Sequence, residues 1–424
     1  MRRFGVAYVL IAMVLLLAPS VVFAGGDQEA AGEEGPKALR IWKFGGGPAE
    51  VEYFQGATER FAEENPDIEV EYNYFYGQIR RSKVINAYKG RNLADVFIGF
   101  SQDIPDFAGL RIIQSLDAID AGQVDSWKQG MVPEVFELGV YEGEVYGLPL
   151  HADMAPFLAY NIDALEEAGF DRPPESWSEV VEYARAMHRP DRVGIAITAT
   201  KDPLPLNIFE GVAYNNGGRL VDEEAGKVTM NGPGFVDALE LYTELVEAGV
   251  TNPGFTEDNH RTAGQLFGEG RAAMLLSMSW LITPWYGPNP EGLRWGSIPF
   301  PKPDQVTGNY PPASVVMDAP TTLFISSSAQ NVEAAMRYLD FWAQEEQLTH
   351  WGREEYIRVP AAKASYDEER LAEVWPSWAE QYKAGTLFDG AVSVPRFNGV
   401  TSVEPYLSTA IQEALLGQKS PQEA

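Results

Sequence analysis

The chain has 424 residues, with 61 acidic against 32 basic side chains, a net charge of −29 and no Cys. That length exceeds the roughly 250 to 300 residues that one hydrophobic core organises, so more than one core is required. The charge leaves no basic footprint for nucleic acid, and without Cys there is no disulfide, thiolate nucleophile, iron–sulfur cluster or Cys-bound zinc.

Arg2 and Arg3 precede an uncharged apolar run from Val6 to Ala18, and Val22-Phe23-Ala24 supplies a cleavage pattern. Residues 1–24 therefore read as a secretory signal peptide cut after Ala24. The run is shorter than the about 20 apolar residues of a membrane span. Gly25 stands where a bacterial lipoprotein presents Cys. A secreted product is expected, periplasmic or extracellular, soluble and not lipid-anchored. Residues 25–37 hold Gly, Ala, Glu, Asp and Gln with little to bury, a flexible leader.

Order is expected from Ala38. Leu39 to Trp42 reads as a strand closed by Phe44 and glycines 45 to 47. Ala49 to Glu64 has a helical apolar face (Val51, Phe54, Ala57, Phe61) and stops at Asn65-Pro66. Ile68 to Tyr74 is a strand, Ile79 to Lys89 a helix, and Ala94 to Phe97 a strand entering Gly99. This alternation predicts a doubly wound α/β fold with parallel strands.

The second half continues the alternation with more helix. Ser176 to Met187 opens on Ser176 with Glu179 three residues on, the spacing of a capping box. Gly194 to Thr198 is a strand, and Gly234 to Ala248 and Glu333 to Gln347 are amphipathic helices. Pro284 to Pro320 holds nine Pro and four Gly, the composition of a long connection with short strands.

Most catalytic signatures fail. Gly45-Gly46-Gly47 lacks the Lys and Ser/Thr of a phosphate-binding loop, and His151, His188, His260 and His350 form no zinc-binding pair. Gly-x-Ser-x-Gly is absent. No cofactor and no metal site are expected.

The short motifs resemble a family along nearly the whole chain after Ala38. LRIWKF at Leu39, FAEENPDIEVEY, and Ala94-Asp95-Val96-Phe97 come first. EGEVYGLPL and LAYNIDALEEAGFDRPPESWSEV follow between Tyr141 and Met187, then NNGGRLVD at Asn215, GRAAM at Gly270 and VPAAK at Val359. In that order they are similar to the extracellular solute-binding protein family 1, the carbohydrate-binding proteins of ATP-driven importers, a group that includes the maltose-binding protein.

The resemblance implies two doubly wound lobes joined by a hinge, the type II periplasmic binding protein arrangement, with ligand enclosed in the cleft. Lobe one would take 38–148 and 299–350, lobe two 149–298 and 351–424, with hinge crossings at Pro149 and Pro299. It implies a monomer without catalytic activity that hands a carbohydrate to the membrane permease of an ABC importer.

A sugar offers apolar C–H faces and a belt of hydroxyls, which call for an aromatic platform and polar side chains in the ring plane. Trp280, six residues after Met274, resembles the family's stacking tryptophan, and Trp285 follows in the same loop. Asp153 follows the YGLPL segment at a place similar to an acidic ligand residue. Gln102 and Asp103 follow one strand end and Phe44 another, where parallel sheets bind ligands. Asn207 and Glu210 precede NNGG. Asp318 stands where much of the family has a glycine pair. Arg358 and Arg396 could each fork onto hydroxyls or serve in surface salt bridges.

Two other readings stay open. A secreted glycoside hydrolase would use Asp103 with Asp153 or Glu210 as its acid pair. The same fold could also hold a polyamine, a peptide or an anion.

Overall fold

The computed structural model describes residues 38–46, 48–75, 80–201, 203–222, 224–279, 292–319, 321–353, 358–367, 376–393 and 400–424. The expected signal peptide and leader, Trp280, Trp285 and Arg396 lie outside them.

Strand β1 (Leu39–Phe44) is buried on both faces. Leu39 and Ile41 enter one core, Trp42 and Phe44 another. That double burial is what a sheet covered by helices on both sides demands. Helix α1 (Pro48–Glu64) returns antiparallel to it, placing Phe54, Ala57 and Phe61 at i, i+3 and i+7 against Tyr338, Phe341 and Trp342. Strand β2 (Val70–Phe75) pairs parallel with β1, helix α2 (Arg80–Lys89) follows, and strand β3 (Val96–Gly99) pairs parallel on the other side of β1.

The first sheet is completed by strands from far along the chain. Thr322–Ile325 pairs antiparallel with β3, and Leu148–Pro149 pairs antiparallel with Thr322–Ile325. A second sheet of four strands runs in the order Trp295–Pro299, Phe157–Asn161, Ala272–Ser277, Val193–Ala196. Only its last pair is parallel. Both sheets are thus mixed rather than parallel throughout. In the first sheet the strand that arrives from far along the chain, Thr322–Ile325, does so without a crossover helix from β3, and antiparallel pairing is open to it.

Between the two sheets lies a third, small one. His151–Ala155 pairs antiparallel with Val316–Asp318 and with Val359–Pro360, and Val392–Ser393 adds a parallel edge. Its side chains alternate between the two main cores. Ala152, Met154 and Met317 join the first core, and Ala155 and Val316 join the second. The sheet is the mechanical link between two α/β halves.

The helix Trp177–Met187 begins as expected, with Ser176 Oγ accepting from Glu179 N at 3.3 Å. The reciprocal half of the capping box is not made. Glu179 instead accepts from Glu175 N and grips Arg172 through both oxygens at 2.8 and 2.7 Å. The helix expected over 333–347 divides at Gln344, whose extended backbone (φ −63°, ψ 140°) separates Val332–Ala343 from Glu345–Arg353. The change of direction brings Leu348 and Trp351 into the first core.

Candidate functional site

The bridging sheet carries the polar centre of the molecule. Asp153 and Asp318 are register partners on its two antiparallel strands, and both are buried. Arg358 directly precedes the strand that pairs Val359 with Ala152 and Pro360 with His151, and it therefore meets Asp153. Its Nη1 donates to Asp153 Oδ1 and Oδ2 at 3.1 and 3.2 Å and lies 2.7 Å from His151 Nε2. Trp351 Nε1 donates to His151 Nδ1 at 2.6 Å. Burial pushes the Asp153 carboxyl up to about 7 against the attraction of Arg358, with the charges of Asp318 and Glu50 adding to the rise. Burial, then Arg358 and Lys43, hold His151 well below the usual imidazole range, so the ring is neutral. Arg358 is a buried partner of Asp153 at 6% exposure, not a surface salt bridge.

Asp318 accepts from Ser101 Oγ at 2.6 Å, and Ser101 Oγ also accepts from Ala319 N at 3.1 Å. Burial raises the Asp318 carboxyl, and the hydrogen bonds from Ser101 and Ala319 oppose it. Ser101 opens the short 3-10 turn Ser101–Asp103 beyond the end of β3, the side of an α/β sheet on which ligands are held. Asp103, at its close, takes Arg80 Nε at 3.0 Å and Arg80 Nη2 at 2.8 Å, with Arg81 Nη1 at 3.9 Å. The Arg80 guanidinium lies 3.5 Å over the Phe100 ring, and Arg81 also pairs with Asp106. Gln102 is half-buried in the same turn.

At the end of β1, Lys43 Nζ donates to Glu50 Oε1 at 2.6 Å and to Phe44 O at 3.0 Å, all out of solvent. Burial lowers the Lys43 ammonium and Glu50 works against that fall. Phe44 stacks on Phe75 at 5.4 Å and is 6% exposed, a packed ring among Trp42, Phe97 and Phe107.

From the other half comes the helix Pro203–Asn215, which follows the strand Val193–Ala196. Gly211 lets it touch the bridging strand directly, since a Cβ there would lie 2.6 Å from Pro156 Cδ and 2.9 Å from Ala155 O. Asn207 and Glu210, three residues apart, share one face. Asn207 is half-buried. Glu210 is 4% exposed and makes no hydrogen bond or ion pair among the described residues. Burial pushes its carboxyl up to about 8, and the charge of Glu404 adds to the rise. Glu404, half-buried in the helix Val400–Leu415, is itself raised by burial and by Asp103 and Asp318, with Arg81 opposing.

Of the expected site residues, Asp103, Asp153, Asp318 and Arg358 fall in one polar cluster, with Gln102 and Phe44 at the adjoining strand ends and Asn207 and Glu210 opposite. Trp280, Trp285 and Arg396 are outside the described residues. Ser279, the residue before Trp280, is tied to the bridging strand through Ser279 N to Met154 O at 2.9 Å and Met154 N to Ser279 Oγ at 3.1 Å. Sequence reasoning missed Lys43, Glu50, Arg80, Arg81, His151 and Glu404. Lys43 carries a visible signal, a cation inside the aromatic strand Trp42-Lys43-Phe44. Glu404 carries none.

Residues 46–349 match the family model described as bacterial extracellular solute-binding protein. A protein of Brucella abortus described as a binding protein is 23% identical over 370 residues, 87% of this chain and 86% of that one. Among solved structures, the maltose-bound MalE3 of T. maritima superposes with a TM-score of 0.78 at 22% identity, covering 91% of this chain and 97% of that one. A solute-binding protein of Thermotoga lettingae bound with α-D-tagatose gives 0.75 at 23%, covering 91% and 96%. The two halves, the bridging strands and the match over most of the sequence lead to one assignment: the chain belongs to the bacterial extracellular solute-binding proteins.

Proposed function

We propose that the protein binds a carbohydrate, mono- or oligosaccharide, between its two halves and delivers it to the permease of an ABC importer. The observation that carries this reading is the in-register pair Asp153 and Asp318 on the bridging strands, flanked by Ser101, Asp103 and Arg358. Such a ring of buried acceptors and fork-shaped donors suits hydroxyls, whose hydrogen bonds then replace those to water. The maltose and tagatose held by two proteins of the same fold point the same way. Asp103 is committed to Arg80 and Arg81 and Asp153 to Arg358, which supports binding without turnover.

Lobe one comprises 38–148 and 299–350, lobe two 149–298 and 351–424, with crossings at Pro149 and Pro299. The packing of Val359, Ala361, Ala362, Tyr366 and Leu387 into the first core supports giving those residues to lobe one, and that of Phe300, Ala313, Leu407 and Ile411 into the second core supports giving theirs to lobe two. Residues 1–24 direct export, and the lack of any Cys in the chain supports release rather than lipid attachment. The protein works as a monomer and takes no nucleic acid.

A thermal-shift screen of residues 25–424 against sugars, amino acids, peptides and polyamines tests the reading. A bound ligand at 100 times its Kd stabilises by about 2.7 kcal/mol. A sugar hit recovered unchanged supports sugar binding without turnover. Hydrolysis of the sugar, or hits confined to other classes, overturns it.

A further inference from the structure

His151 opens the bridging strand His151–Ala155, and each nitrogen of its buried ring has a close neighbour. Trp351 Nε1 stands 2.6 Å from Nδ1, and Arg358 Nη1 stands 2.7 Å from Nε2. Both neighbours are donors only, since neither an indole N–H nor a guanidinium has a lone pair to give. A neutral imidazole has one N–H and one lone pair, and an imidazolium has no lone pair at all. Two donors thus converge on a ring that can accept from one. Whichever nitrogen carries the proton aims its N–H at another donor.

The surroundings decide between the two tautomers. Trp351 is fully buried in the first core against Phe54 and Trp342, which fixes the direction of its single N–H. Arg358 ends a long side chain, and its Nη1 has the two Asp153 oxygens to turn to at 3.1 and 3.2 Å. The lone pair therefore goes to the indole, and the proton sits on Nε2. Among the described residues the acceptor near that N–H is Asp153 Oδ1 at 3.6 Å, too long for a hydrogen bond as the ring stands. Arg358 is thus attracted by Asp153 and repelled by His151 from one and the same spot. Asp318, the register partner of Asp153, is served by Ser101 and by the Ala319 N–H and makes no call on the imidazole.

We propose that His151 is a positioning residue that takes over Asp153 when Arg358 leaves it, Nε2–H closing on Oδ1, so that the guanidinium can turn to a ligand without leaving a bare carboxylate behind. Removing the partner of a buried charge is ordinarily costly, because the charge that stays is neither paired nor solvated. Here a second donor is held in reserve by the strand itself, since residues 151 and 153 are two apart and project to one face. Burial and the charges of Arg358 and Lys43 keep the ring neutral, which leaves Nε2–H as that donor. The exchange is built into the chain whatever solute the cleft takes.

Two measurements on residues 25–424 test it, both at pH 8, above the value of about 7 for Asp153. The first is the nitrogen spectrum of protein labelled at its four histidines, with the His151 signals identified by their loss in His151→Phe. The wild type is expected to show the Nε2–H tautomer, and in Arg358→Met the Nε2 proton is expected to move downfield as its bond to Asp153 forms. The second is the melting temperature. Arg358→Met and His151→Phe each leave Asp153 one donor, whereas the double variant leaves it neither, so the double loss is expected to exceed the sum of the two single losses. A double variant that does not fold at all is the extreme of that result. An Nδ1–H tautomer in the wild type, an Nε2 proton unmoved in Arg358→Met, or additive losses each overturn the exchange. Failure of Arg358→Met alone to fold overturns it too, since Asp153 would then have found no substitute.

Discussion

Glu210 interrupts an otherwise apolar stretch, Ile208-Phe209 before it and Val212-Ala213 after it, and all four of those neighbours are core residues. Its carboxyl sits near 8 in the fold against an ordinary glutamate range near 4.5 when unfolded. A carboxyl raised by folding binds its proton more tightly in the native state, so its stabilising contribution is complete below the unfolded value and is lost as pH climbs to about 8. Glu210→Gln removes that dependence. Between pH 5 and pH 8 the variant should lose less stability than the wild type, the difference widening by up to about 3.5 kcal/mol. Urea midpoints at the two pH values measure it, and parallel loss in both proteins would mean that Glu210 is charged and solvated. Asp153, raised to about 7, contributes a slope of the same sign that remains in the variant. At this scale the sequence was readable where a polar residue follows a strand end, as with Gln102 and Asp103. It was unreadable where partners meet through tertiary structure. Asp153 and Arg358 are 205 residues apart, and neither announces the other. His151, read as one more isolated histidine, is enclosed by Trp351 and Arg358 for the same reason.

Elements were legible in proportion to their periodicity. The expected helix Ala49 to Glu64 is found at Pro48–Glu64, and Gly234 to Ala248 at Pro233–Glu247, because long amphipathic faces leave little freedom. The break at Gln344 was hidden, since Gln is a good helix former and the apolar pattern runs through it; burial of Trp351 overrides propensity there. Strand direction was hidden too, because antiparallel entry of Thr322–Ile325 beside β3 depends on where the chain has been and not on composition. Helix 203–215 offers a test at this scale. Adding one methyl in Gly211→Ala forces the helix away from Ala155-Pro156, which should cost about 1–3 kcal/mol as overpacking and weaken ligand binding by displacing Asn207 and Glu210. Wild-type melting temperature together with wild-type affinity would show that the helix moves freely against the bridging strand.

For the molecule as a whole, the two halves joined by short strands imply motion about the bridging sheet. A ligand that touches both halves favours the closed arrangement by its differential affinity for it. Small-angle scattering should therefore show a smaller radius of gyration with saturating ligand than without, and an unchanged profile would mean that binding involves one half alone. The two-lobed plan was legible through the order of short motifs, and the polar cluster was not, because its members come from six separate stretches of the chain.

The order of strands has one more consequence, for how the chain comes into being. Every strand of the second sheet lies between Phe157 and Pro299, so that sheet has all its members once Pro299 has been synthesised. The first sheet starts at Leu39 yet cannot join Leu148–Pro149 to β3 until Thr322–Ile325 exists to stand between them. The sheet that begins first is completed last, and until then β3 keeps an open edge, the kind of surface on which a neighbouring chain can add a strand.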